Sequence, residues 1–103
     1  MFNLYINERR IEDVTVLDLK GRIRSTGRTR GLHKLIRYLV EEGKTRILLN
    51  LSQVTHIDAS GLDELVASRV TVSNKGGEIK LLHLTEQMRE VITRANLSAL
   101  FDI

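Results

Sequence analysis

A chain of 103 residues with 42% hydrophobic and 28% charged side chains has the length and composition of one globular domain, which excludes a disordered chain and needs no second core. Cysteine is absent, so disulfides, thiolate zinc sites and cysteine nucleophiles are excluded together, in keeping with a reducing compartment. The net charge is a modest +3, no apolar run approaches the ~20 residues that cross a bilayer, and residues 1–5 lack the basic and apolar regions of a signal peptide; a soluble, cytoplasmic protein without membrane insertion is expected.

In chain order, Leu4, Tyr5 and Ile6 form a short predicted strand, joined through Glu8, Arg9 and Arg10 to a second strand in the β-branched run 14–19, which ends at Gly21. Arg22, Arg24, Arg28 and Arg30 then cluster on a predicted loop. Leu32, Leu35, Ile36, Leu39 and Val40 follow the spacing of a helix with one buried face, and Gly43 sits where a left-handed cap ends it. The run 47–51 is almost continuously apolar, as in a central strand covered on both faces. A second helix is predicted from about Gly61, with Leu62, Leu65, Val66 and Val70 on its buried side. After Gly76 and Gly77 come a strand over 79–82 and a third helix that Thr85 caps, burying Met88, Val91, Ile92 and Ala95. Asn96 tolerates the left-handed turn that closes it. The order β-β-α-β-α-β-α implies a parallel core, with right-handed crossovers that place the helices mainly on one face.

Residues that could carry chemistry are few. His33, His56 and His83 lack ligand spacing, so no metal is expected. Phosphate-cradling glycine loops are missing and the residue two before Ser60 is Asp58, not the glycine of a nucleophile elbow, so neither nucleotide chemistry nor hydrolysis is supported. No catalytic residue and no cofactor is expected. The arginine cluster admits nucleic acid as a partner, but the four aromatic residues are not interleaved with it, and a protein-binding rim is the favoured reading.

The informative stretch is 49–62, where Asp58, Ala59, Ser60, Gly61 and Leu62 follow a buried strand and open a helix. It resembles the core motif of STAS domains, and the chain as a whole is similar to bacterial anti-sigma factor antagonists: Gly21, the Gly76-Gly77-Glu78 run and the ending 96–103 also match. The resemblance implies one STAS-like α/β domain over residues 1–103, a mixed central sheet with helices mainly on one face, and a regulatory module that binds an anti-sigma factor or related serine-kinase-like regulator rather than an enzyme. Alternatives are a scaffold subunit of a transporter or larger signalling assembly, and a nucleic-acid binder. A homo-oligomer is also anticipated, because the chain stops after Phe101, Asp102 and Ile103 where family members continue into a further helix.

In the family, a partner kinase phosphorylates the serine directly after the aspartate, and the added charge releases the partner. Here that position is Ala59, which leaves Ser60 as the phosphorylation candidate; as an alternative, Ser60 is the N-cap of the second helix. Asp58 either contacts a partner or caps the loop. Gly61 lets a docking partner approach, and Leu62 drops into the core. Asp63 and Glu64, placed in the first helical turn, would repel a phosphate and face Arg22 and Arg24 across the binding surface. A constitutive binder is therefore expected, in which charge reversal at Arg24 or Glu64 leaves folding nearly intact while changing partner choice.

Overall fold

The computed structural model describes residues 4–23 and 31–103. The chain runs β1 (Leu4–Ile11), β2 (Val14–Ile23), α1 (Leu32–Glu41), β3 (Arg46–Ile57), α2 (Ala59–Asn74), β4 (Glu78–Leu82), α3 (Glu86–Arg94) and a terminal 3-10 turn, Ala99–Phe101. The strands form one mixed sheet in the order β1-β2-β3-β4, antiparallel between β1 and β2 and parallel thereafter.

The first hairpin turns later than expected. Glu8, Arg9 and Arg10 lie within β1, opposite Leu17, Val16 and Thr15, and the reversal falls at Glu12 and Asp13. As an edge strand with one solvated face, β1 accommodates charges that interrupt any apolar alternation. Glu12 takes the left-handed conformation the tight turn requires, with φ 55°.

One face of the sheet carries the core. Leu17 pairs with Leu49 and Thr15 with Ile47, and these four are at most 2% exposed. Against them pack Leu32, Ile36, Leu39 and Val40 of α1, Leu65 and Val72 of α2, Met88 and Ile92 of α3, and Phe101. The opposite face was expected to be covered too, yet Leu48 and Asn50 are only half-buried. What holds that face is a polar ladder across three strands. Arg9 Nε and Nη2 donate to Asp18 Oδ2 and Oδ1 at 2.6 and 3.2 Å, and Asn50 Nδ2 donates to Asp18 Oδ1 at 2.8 Å.

β3 outruns β4, which pairs only with Arg46–Asn50. Beyond that point α3 packs beside β3, and Gln87 Nε2 comes within 3.5 Å of His56 Nδ1. Two register shifts against β2, between Asp18 and Lys20 and between Gly21 and Arg22, let Leu51, Val54 and Ile57 all reach the core.

The helices differ from expectation in their buried faces. In α2 the buried stripe is Gly61, Leu65, Ser68 and Val72, whereas Val70 is 47% exposed and Leu62 and Val66 are half-buried. Leu65 is buried and Leu62 packs against the core as expected, but apolar spacing alone set the face too far toward Val66 and Val70, because small residues occupy two positions of the true stripe. Ser68 is tolerated there since its Oγ donates to Glu64 O at 2.7 Å. In α3, Thr85 Oγ1 accepts from Met88 N at 3.3 Å and Asn96 takes φ 60°, as expected, but Ala95 is exposed. The terminal segment folds back: Phe101 is buried and Arg69 Nε donates to Leu100 O at 2.6 Å.

Candidate functional site

The turn from β3 into α2 is built by Asp58. Its backbone is extended, and its Oδ1 accepts from Gly61 N at 2.8 Å and from Ser60 Oγ at 2.7 Å. Asp58, not Ser60, is therefore the N-cap. The helix starts at Ala59, which places Ser60 inside the first turn. A carboxylate suits this position better than a hydroxyl, because it meets both the free amides and the positive end of the helix dipole. Ser60 donates to that carboxylate instead of receiving a backbone amide.

Gly61 is required by the chain itself. A Cβ there would overlap Ile23 O and crowd Ile57 Cγ1, so the close approach that glycine permits is to the end of β2 rather than to a docked partner. The contact joins two segments distant in sequence: the end of β2, with Arg22, and the start of α2, with Asp58, Ala59 and Ser60. Arg24, Arg28 and Arg30 lie outside the described residues. Arg22 is exposed, opposite His56 in the register.

The two acids after Leu62 are not in the first turn, which contains no acidic residue. Asp63 is exposed. Glu64 is half-buried, and its Oε1 accepts from His33 N at 3.1 Å. α1 begins after Gly31, which has no side chain to cap it, so α2 supplies the missing cap. A side chain at Gly31 would collide with that carboxylate. Nearby, His33 Nε2 lies 2.8 Å from Thr71 Oγ1. The expectation that charge at Glu64 can be reversed without affecting folding is thus corrected. The sequence held one clue: nothing at Gly31 could cap the predicted first helix, so the acceptor had to come from elsewhere.

Among the described residues no group of three or more His, Asp or Glu side chains could hold a metal ion, and no helix is long and apolar enough to cross a membrane. The site offers a capped helix start, one hydroxyl bonded to a carboxylate, and an exposed arginine close by.

This architecture is that of a known family, and the chain belongs to it: residues 5–103 match the STAS domain. Solved structures with the same fold include an anti-sigma factor antagonist from Mycobacterium paratuberculosis, 19% identical with a TM-score of 0.79, covering 95% of this chain and 82% of that one. SpoIIAA of Bacillus in its phosphorylated form is 19% identical, with a TM-score of 0.67 and coverage of 92% and 86%. An antisigma-factor antagonist STAS domain from Rhodobacter sphaeroides is 11% identical, with a TM-score of 0.54 and coverage of 84% and 96%. At these identities the likeness is one of fold. None of the curated proteins matches the chain.

Proposed function

We propose that this protein is a non-catalytic regulatory module that binds an anti-sigma factor or a related serine-kinase-like regulator, and that it binds constitutively. The observation that carries the reading is the backbone contact between Ile23 and Gly61. That contact supports reading the end of β2 and the start of α2 as one binding surface, on which Arg22, Asp58, Ala59, Ser60, Leu62 and Asp63 meet a single partner; Arg24, two positions after Arg22 in the sequence, lies outside the described residues. The structural neighbours that are anti-sigma factor antagonists support the class of partner.

Constitutive binding is favoured by the chemistry of the turn. Ala59 has no hydroxyl. The Ser60 hydroxyl is engaged by Asp58 at 2.7 Å, and a phosphoryl group bringing a charge of about −1.5 to −2 would sit against that carboxylate. Purified serine-kinase-like anti-sigma factors from the native host, titrated calorimetrically against the protein, test the partner. Incubation of the binding pair with ATP, followed by phosphate mapping, tests the switch. Retained binding without phosphate at Ser60 is the expected result; stoichiometric phosphate there with release of the partner would overturn it.

A further inference from the structure

We infer that the open face of the sheet, where β2 and β3 run toward the α2 turn, is a docking surface for an acidic, extended segment of the partner protein. The inference rests on the reading of this chain as a partner-binding module and names the chemistry of what it binds.

The surface is made of two cross-strand rows. Tyr5, Lys20 and Gln53 lie side by side on β1, β2 and β3, and Arg22 lies beside His56 one step further along. All five are exposed. A hollow of about 360 Å³ opens here, lined by Tyr5, Lys20, Ser52 and Gln53 together with Asp18 and Asn50. Tyr5, 59% exposed, is among the large apolar side chains that the fold leaves in solvent.

Charge decides the occupant. Arg9, Arg46 and Lys80, also on strands, each face a carboxylate: Asp18, Asp13 and Asp102. Lys20 and Arg22 have no ion pair among the described residues. Asp18 itself lines the hollow, but its charge is balanced by Arg9, and Asn50 adds a neutral hydrogen bond to the same carboxylate. Two unbalanced cations, two residues apart on one strand, complement carboxylates at alternate positions of an extended segment, which has the same side-chain period. The exposed side chains of Ser52 and Gln53 offer donors and acceptors to its main chain, and Tyr5 offers a flat apolar ground. Nucleic acid fits less well, because affinity for it is built from many phosphate contacts, about 6–10 in a typical duplex binder, and one tyrosine provides little base stacking.

The test follows backbone amide resonances of the whole protein while a short synthetic peptide of alternating Glu and Ala is added. Parallel titrations use the Lys-for-Glu peptide and oligothymidylate. The same titrations are run on Lys20→Glu/Arg22→Glu and on Lys34→Glu/Arg37→Glu, a pair of exposed α1 residues that changes net charge equally. The expected result is shifts concentrated at Tyr5, Lys20, Arg22, Gln53 and His56. Affinity should fall by about tenfold or more in the first variant, as charge reversal at a complementary interface predicts, and be nearly unchanged in the second. Equal losses in both variants, shifts spread over the surface, or tighter binding of oligothymidylate by the same residues would overturn the inference. An anti-sigma factor that binds both variants equally would overturn the docking surface alone, leaving the proposed function standing.

Discussion

At the level of single residues, the α2 turn concentrates its stability in one carboxylate. Asp58→Ala removes the acceptor of the Gly61 amide, and loss of such a cap costs about 1 kcal/mol, or ~4–8 °C in melting temperature for a domain of this size. Ser60→Ala should lower the melting temperature by less, since the cap survives it; calorimetric scans of the two variants check the order. If Ser60→Ala proved the more damaging, Asp58 would not be the cap. Thr15 makes the opposite case. Its side chain is fully buried beside Ile47, and its hydroxyl has no hydrogen-bond partner among the described residues. An unsatisfied buried polar group costs about 1–3 kcal/mol, and valine has nearly the same shape. Thr15→Val is therefore expected to raise the urea midpoint, by stabilisation of about 1 kcal/mol.

At the level of elements, α1 and α2 are coupled by more than apolar contact. Because Gly31 cannot cap α1, the amide of His33 depends on Glu64 of α2. Glu64→Lys puts a cation at the positive end of α1 and leaves that amide without its acceptor, so a loss of about 1–2 kcal/mol is expected. Glu64→Gln keeps an acceptor oxygen and should lose less. Urea denaturation ranks the variants, and hydrogen exchange at His33 reports the amide directly; unchanged exchange in Glu64→Lys would refute the coupling. Gly61 constrains a different pair of elements. Gly61→Ala forces α2 away from the Ile23 carbonyl, which should cost about 1–3 kcal/mol and disturb the proposed partner-binding surface while leaving its other residues intact.

For the molecule as a whole, the uncovered face of the sheet ties stability to pH. Hydrogen bonds from Arg9, then from Asn50, hold the Asp18 carboxyl down at about 2. Its ionised form is thus favoured by folding, and the sign follows: the contribution is complete above the ordinary carboxylate range near 4 and is lost as pH falls toward 2. The side chain of Asp18 is 28% exposed and that of Arg9 49%, so solvent screening limits the effect to about 1 kcal/mol. Asp18→Asn should flatten this part of the stability profile between pH 4 and pH 2, measured by denaturation at fixed pH. A profile in which the variant loses stability as steeply as the parent would place the acid sensitivity elsewhere.

The order of strands and helices was legible in the sequence, because it rests on local signals: β-branched runs, the helical spacing from Leu32 to Val40, Thr85 ahead of α3, and Asn96 at its close. The motif from Asp58 to Leu62 also marked the start of α2 and the family. Less legible were features set by neighbours distant in the chain. Glu8, Arg9 and Arg10 resembled a connection, yet β1 lies at an edge where charged side chains meet water and Asp18. The buried stripe of α2 runs through Gly61 and Ser68, which apolar spacing cannot register. Ser60 was a reasonable cap by residue type, but Asp58 holds the stronger acceptor once the backbone extends before Ala59. Glu64 was read as a surface charge, and only the packing of α2 against α1 turned it into a cap. By itself the sequence determined which segments become strands and helices, since those choices depend on residues within a few positions of one another. The tertiary structure decided which face each element buries and which polar groups meet, because those contacts join residues tens of positions apart and depend on how the elements pack.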